Sequence, residues 1–254
     1  MAVILRGQLI RMLLRMARDS SKLPKQTLDG NLSSTNMRRK LKVGILFGGR
    51  SVEHEVSLQS AKNIFAAIDR TKYIPVPVAV TKKGQWLILS DKDFLLNPNN
   101  PKTIKLNIVS NPDNLMPERV FSNGLSKDSQ GKNFVDVVFP VLHGPFGEDG
   151  TVQGLLKLAN VPFVGASVLG SAVGMDKDVM KRLLREAKLP VTDFITFFES
   201  DQKKIDYKEV VKRLGLPIFV KPASLGSSVE SVKSLIWKAL KKRLKPHFFM
   251  TEKF

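Results

Sequence analysis

The chain has 254 residues, enough for one large or two ordinary domains, and its 43% hydrophobic and 25% charged residues are typical of a globular protein. It contains no cysteine, which excludes disulfides and thiolate metal sites, and no apolar run approaches the ~18 residues that span a bilayer. Of the net charge of +18, residues 1–40 hold +7 and residues 229–254 hold +5, so the remainder is too small to require a nucleic acid partner.

Residues 1–40 form a basic extension before the first predicted strand. Up to Arg18, arginines interrupt apolar residues, a pattern that fits a transit peptide or an interfacial helix. Residues 19–36 have the composition of a linker. We expect the extension to be disordered or to come from a mis-assigned start, with translation beginning at Met37; a targeting segment is the alternative.

A strand, a glycine turn and a helix open the predicted core. Lys42–Phe47 is apolar and leads into Gly48-Gly49, after which helical spacing runs from Val52 to Ile68. This order is typical of a doubly wound α/β domain. The side chains expected on the buried face of the helix are Val56, Ala61, Ile64, Phe65 and Ile68.

The remaining predicted elements continue the alternation of strands and helices. A change of character near residues 165–190 predicts a domain boundary there. In chain order the elements are strands at Tyr73–Val80 and Trp86–Leu89, loops with one short strand over 90–131, a buried strand at Val135–Leu142, a helix from Thr151 to Ala159, a short strand at Val161–Val164, a helix after Asp176 through Ala187, a strand at Phe194–Phe197, a helix at Tyr207–Leu214 and a strand at Pro217–Lys221.

The most specific motif is HGPFGEDGTVQG at residues 143–154. Its glycines allow close backbone approach and positive φ angles, and His143 stands where a buried strand ends, the edge at which open α/β sheets bind ligands. The alternative is a capped turn, in which Asp149 caps the next helix and Glu148 faces its positive N-terminus. The length of the motif favours a binding loop.

This motif resembles the signature of the D-alanine–D-alanine ligases. Three further segments are similar to landmarks of the same family and come in the same order: GGRSVEHEVS at 48–57, MDK at 175–177 and VKPASLGSSV at 220–229. The resemblance implies an α/β fold with a Rossmann-like (pre-ATP-grasp) domain over 41–165 and an incomplete ATP-grasp domain over 166–254. A nicotinamide-binding domain would need G-x-G-x-x-G after the first strand, which residues 48–51 do not supply.

The resemblance also implies an activity. Members of the family join two D-alanines through an acyl phosphate for peptidoglycan synthesis, with ATP and Mg²⁺ as cofactors, and the resemblance suggests a cytoplasmic homodimer. Neither a nucleic acid nor a membrane is expected as a partner. The resemblance leaves open whether the second substrate is D-alanine, D-lactate or D-serine.

Two of the matched residues are expected beside the first substrate. Glu53 would hold the ammonium group of the first D-alanine, with Glu55 as the competing carboxylate two residues on. His143 would orient the same substrate; the alternative is a buried structural histidine.

Five more residues are carried over by position. Lys177 and Lys221 would contact the phosphates of ATP. Ser227 would place the second substrate, and Ser228 belongs to the glycine–serine loop that folds over phosphate. Glu252 resembles the hinge next to the adenine.

The chain ends at Phe254, before the family pattern does, and residues 230–250 depart from that pattern. The resemblance places the oxyanion arginine and the metal ligands in the part that follows, so no metal ligand is assigned. Because phosphoryl transfer depends on metal and positive charge, we expect a truncated ligase that is inactive alone. The alternative is a non-enzymatic remnant that binds D-alanine or nucleotide weakly or not at all.

Overall fold

The computed structural model describes residues 39–108, 113–115, 135–201, 205–224, 232–234 and 248–252. All of them belong to one compact unit, Arg39–Phe254. The basic extension predicted over 1–40 lies outside the described residues except for its last two positions, and most of 230–250 does as well. In the described part of the chain, no helix has the length and apolar character needed to cross a membrane.

A five-stranded mixed sheet forms the first half of the described chain. The strands of this half are β1 (Leu41–Gly48), β2 (Tyr73–Val80), β3 (Trp86–Ile88), β4 (Leu95–Leu96), β5 (Lys105–Leu106), β6 (Asp113–Leu115) and β7 (Val137–Pro140). Strand β1 lies parallel to both β2 and β7, while β3 pairs antiparallel with β2 and with β6. The order in the sheet is therefore β6-β3-β2-β1-β7, and β4 pairs with β5 apart from it.

Helices cover both faces of this sheet, which explains why β1 is apolar without alternation. Successive side chains point to opposite faces, so Ile45 and Phe47 enter the core beneath helix α1 (His54–Ala67), and Leu46 enters the core beneath α2 (Thr151–Leu158). Burial of apolar side chains on both faces stabilises β1 by about 25 cal/mol for each Å² removed from water.

The described part of the second half contains four strands and three helices. The elements are α3 (Val168–Met175), α4 (Lys177–Glu186), β8 (Phe194–Phe197), a 3-10 turn (Glu199–Asp201), α5 (Tyr207–Leu214), β9 (Ile218–Pro222), β10 (Val232–Ser234) and β11 (Phe248–Glu252). The described strands form an antiparallel sheet in the order β10-β9-β11-β8. Val210 and Leu214 of α5 pack on Ile218 of β9 in a separate apolar cluster.

The buried face predicted for the first helix is partly wrong. Val56 is 54% exposed, whereas Leu58, Ala61 and Phe65 are buried. Residues two apart on a helix do not share a face, so a helix that turns Leu58 into the core turns Val56 outward.

The short strand predicted at Val161–Val164 is also wrong, because only an isolated bridge joins Phe163 to Val138. Pro162 has no N–H to donate, and the chain turns away at Gly165 with φ +125. Pairing therefore stops after a single bridge.

The predicted number of strands between 90 and 131, one, was too small, since the described part of that region contains three, β4, β5 and β6. Helix α3 was not predicted. Its sequence, VLGSAVGM, holds two glycines, which lower helix propensity, and the helix begins where the Ser167 hydroxyl accepts a hydrogen bond from Gly170 N at 3.3 Å.

Candidate functional site

Helix α1 joins the carboxyl ends of β1 and β7. The hydroxyl of Ser57, fully buried, donates to Val141 O at 2.6 Å and accepts from Gly48 N at 2.8 Å. One turn earlier, Nδ1 of His54 lies 2.7 Å from Gly49 O, and because a carbonyl only accepts, Nδ1 carries the proton. The first helix therefore fixes the edge of the sheet at which ligands bind in open α/β folds.

Glu53, the residue before α1, is only 6% exposed. Its carboxylate lies against Gly144, where a Cβ would come within 2.6 Å of Oε2 and 2.7 Å of Ser51 Oγ, and where φ is +70. The side chain does not cap the helix, and none of the residues that the structure describes donates a hydrogen bond to it. A carboxylate on a largely buried side chain gains from a cationic partner, so this arrangement favours a cationic ligand.

Glu55, the competing carboxylate, lies in a different environment. Its Oε1 forms an ion pair with Lys82 Nζ at 2.6 Å. Partial burial raises the pKa of Glu55, but the hydrogen bond and charge of Lys82 outweigh that effect, so the pKa lies below its usual value. Glu55 already has a cationic partner at the surface, whereas Glu53 does not.

The imidazole of His143 lies between two side chains. Its Nε2 is 3.0 Å from Ser60 Oγ, and its Nδ1 is 4.0 Å from Glu148 Oε1. The other carboxylate oxygen of Glu148 accepts from Gly144 N at 2.7 Å. The nearby His143 ring is the largest cause that lowers the pKa of Glu148, the Gly144 N–H adds to it, and burial opposes both.

The loop from His143 to Gly154 corrects the capped-turn interpretation. Glu148 accepts from Gly144 N, earlier in the loop. The N-cap residue of α2 is Gly150, which has no side-chain cap, and Asp149 instead spans the loop, with its two oxygens accepting from Phe146 N at 2.8 Å and Thr151 N at 2.9 Å.

Two residues that the sequence analysis did not identify, Arg50 and Ser60, lie at the edge of this loop. The guanidinium of Arg50 lies 5.2 Å from the centre of the Phe146 ring and so connects the β1–α1 loop to the glycine loop. Ser60 lies three positions after Ser57, on the same face of α1. That spacing was the available signal, but nothing in it identified His143 as the partner.

A second cluster forms where α4 begins against the end of β9. Oδ1 of Asp176 accepts from Val179 N at 3.0 Å and caps the helix, and Lys177 N donates to Ala223 O at 2.9 Å. These bonds place Lys177 near Lys221. Burial is the largest cause that lowers the pKa of Lys177; the charge of Lys221 adds to it, and Asp176 opposes it.

The charges of this cluster favour an anion. The N-terminus of a helix carries partial positive charge, so a lysine in its first turn and a second lysine nearby raise the energy of the empty site. A phosphate group would neutralise the charge of both lysines and accept hydrogen bonds from backbone N–H groups. Asp178, 9% exposed, accepts from Thr196 Oγ1 at 2.6 Å and ties the start of α4 to β8.

The structure therefore brings Glu53 and His143 together beside Gly144, and Lys177 beside Lys221. Ser227 and Ser228 lie outside the described residues. Glu252 ends β11 in register with Ile218. Over the described ranges, no group of three or more His, Asp or Glu side chains could hold a metal ion.

Comparisons with known families match most of the chain. A family profile described as D-ala D-ala ligase N-terminus matches residues 42–166, and one described as D-ala D-ala ligase C-terminus matches residues 183–253. D-alanine–D-alanine ligase from Proteus mirabilis is 48% identical over 191 residues, which are 75% of this chain and 52% of the relative. D-alanine–D-alanine ligase A from Escherichia coli K12 gives the same identity and coverage. The chain thus spans about half the length of these curated relatives.

Solved structures show the same likeness. The D-alanine-D-alanine ligase from Coxiella burnetii has a TM-score of 0.64 and 32% identity, covering 85% of this chain and 62% of that one. The VanG D-Ala:D-Ser ligase from Enterococcus faecalis has a TM-score of 0.63 and 32% identity, covering 85% of this chain and 63% of that one.

Proposed function

Because this chain belongs to the D-alanine–D-alanine ligase family, we propose that it serves the ATP-dependent joining of D-alanines, with Glu53 and His143 at the first D-alanine and Lys177 and Lys221 at the phosphates of ATP. The observation that carries the proposal is Glu53, a residue that is 6% exposed and whose carboxylate has no hydrogen-bond or ion-pair partner among the described residues.

The ammonium group of an amino acid fits this carboxylate. It supplies the positive charge and the hydrogen-bond donors that a buried carboxylate needs. Gly144 leaves the space, since any side chain there would occupy the position next to Glu53 Oε2. His143, the neighbour of Gly144, lies at the same edge and orients the bound substrate.

The lysine pair supplies the other half of the site. In the proposed reaction a carboxylate oxygen of D-alanine attacks the γ-phosphorus and ADP leaves. The amine of the second substrate then attacks the acyl carbon of the resulting acyl phosphate; the C–N bond forms, the amine loses a proton and inorganic phosphate leaves. Lys177 and Lys221 hold the phosphates and neutralise part of their charge. We include Mg²⁺ in the proposal, but no side-chain cluster among the described residues fits it, so no step is derived through the metal.

The proposal includes the domain division, the assembly and the location. We propose a Rossmann-like domain over 41–165 and part of an ATP-grasp domain over 166–254, which the profile matches over 42–166 and 183–253 support. The homodimer and the cytoplasmic location rest on family membership, and sedimentation of the purified chain tests the first of them.

The role of Glu53 is tested by binding. D-alanine and D-lactate differ in the ammonium group, so the wild-type chain should bind D-alanine more tightly in calorimetry. Glu53→Gln should remove most of that difference, because a charged hydrogen bond contributes about 1.5–3 kcal/mol, or roughly 10- to 150-fold. Glu55→Gln is the matched control and should bind as the wild type does. Equal binding by Glu53→Gln and the wild type would reject the assignment.

The role of Lys221 is tested with ATP. Lys221→Met should weaken ATP binding by about tenfold or more, since the variant keeps the apolar stem and loses the phosphate contact. Lys212→Met, an exposed lysine in the last turn of α5, is the control. If both variants bind ATP equally well, the lysine pair does not form the phosphate site.

A further inference from the structure

We infer that Ser60 is a positioning residue: its hydroxyl bonds to Nε2 of His143 and holds the plane of the ring, so that the Nδ1 proton points at Glu148. The inference deepens the proposed D-alanine site, on which its meaning for catalysis rests. It starts from the two contacts of the ring, at 3.0 Å to Ser60 and 4.0 Å to Glu148.

The Glu148 side decides which nitrogen carries the proton. Glu148 is held in place by the N–H of Gly144, and its lowered pKa keeps it ionised at neutral pH. An ionised carboxylate only accepts hydrogen bonds. Nδ1 faces this carboxylate at 4.0 Å, a distance at which charge attraction rather than a hydrogen bond acts, and that attraction favours the tautomer with the proton on Nδ1 and the lone pair on Nε2.

The Ser60 side completes the assignment. A hydroxyl can donate to a bare imidazole nitrogen, and among the described residues His143 is the only hydrogen-bond partner of the Ser60 hydroxyl. Three positions earlier on the same helix, Ser57 is locked by two hydrogen bonds, so the backbone that carries Ser60 is fixed. Ser60 therefore sets the plane of the ring and keeps Nδ1 directed at Glu148, which determines the tautomer.

The hydroxyl also tolerates a change of charge on the ring. If Nε2 takes up a proton, Ser60 rotates and accepts where it had donated. A threonine at the same position would do the same, whereas valine, which has nearly the same shape, could do neither. Ser60→Thr and Ser60→Val therefore form a matched pair that differs in the hydroxyl.

The test is the tautomer of His143 in the full chain. The chain has three histidines, His54, His143 and His247, and the signals that disappear in His143→Gln identify this one. Long-range ¹H–¹⁵N correlation at pH 8 distinguishes a protonated nitrogen from a bare one. We expect Nδ1–H in the wild type and in Ser60→Thr. In Ser60→Val the ring is no longer held against Glu148, so we expect a several-fold larger Nε2–H population.

Two results would overturn the inference: a wild-type ring in the Nε2–H form, or Ser60→Val and Ser60→Thr with the same tautomer ratio. The first needs no variant, so the inference stays testable even if a substitution prevents folding. Affinity for D-alanine should fall about two- to tenfold in Ser60→Val relative to Ser60→Thr. A wild-type chain that holds the Nδ1–H tautomer but binds no D-alanine would refute the proposed function and leave the tautomer assignment standing.

Discussion

Ser57→Ala should destabilise the fold more than any other serine-to-alanine change on α1. The hydroxyl of Ser57 is fully buried and bridges the ends of two parallel strands, with Gly48 N at 2.8 Å and Val141 O at 2.6 Å. Alanine removes both bonds at once and leaves a donor and an acceptor with no route to water.

The magnitude follows from those two groups. Each buried backbone group left without a partner costs about 1–3 kcal/mol, and losing the hydroxyl returns part of that because its own desolvation is relieved. The net loss should be about 2–4 kcal/mol. For a chain of this size, that loss lowers the unfolding midpoint by on the order of 10 °C.

Differential scanning calorimetry of the full chain measures this shift. Ser90→Ala is the control, because Ser90 is exposed and its Oγ lies 3.4 Å from Lys92 N, so its removal should change stability by less than about 0.5 kcal/mol. If the unfolding midpoint of Ser57→Ala lies within about 1–2 °C of that of Ser90→Ala, the Ser57 hydroxyl does not hold the strand ends together and the reasoning fails.

Two further predictions concern the glycine loop. Gly144→Ala should weaken both D-alanine binding and stability, because a Cβ would lie 2.6 Å from Glu53 Oε2 at a φ of +70. Gly154→Ala, which has open space around its Cβ, should instead stabilise α2 by up to about 1 kcal/mol. Calorimetry that ranks the two glycine variants in the opposite order would contradict this geometry. The pKa of Glu148 is lower in the fold than its usual value, so its contribution to stability is present above the ordinary glutamate range and is lost as the pH falls through the folded value. Glu148→Gln should therefore lose less thermal stability than the wild type between neutral and acidic pH; parallel pH profiles would count against the His143 contact.

Local pattern was sufficient where a segment is buried on both faces or carries a clear cap. Lys42–Phe47 was predicted as a strand and lies within β1, and the helix predicted after Asp176 is α4, which that aspartate caps. Pattern failed where neighbours in space decide. The run Val161–Val164 looks like a strand, but it pairs through a single bridge because of its proline.

The candidate site divides in the same way. Motif position favoured Glu53 over Glu55. The physical difference is that Glu55 pairs with Lys82, which lies in the turn after β2, whereas Glu53 has no cation beside it among the described residues. Ser60 could not be assigned from sequence at all, because its partner His143 is 83 residues away. The roles of Glu53 and His143 remain predictions until binding is measured.

Glu53, Ser57 and Ser60 occupy successive turns along one side of the segment that begins α1, so the placement of this half of the site depends on the rotation of a single helix. An α-helix turns by about 100° for each residue. One residue inserted between Gly49 and Glu53 must be taken up either by the loop, which displaces Glu53, or by a rotation of α1, which turns the Ser57 and Ser60 hydroxyls away from the strand ends and the imidazole. We expect changes of length in this loop to be far more damaging than substitutions at its exposed positions, such as Val52. Attempts to redesign the first-substrate pocket should keep the length of the β1–α1 loop constant and vary the glycine loop that faces it.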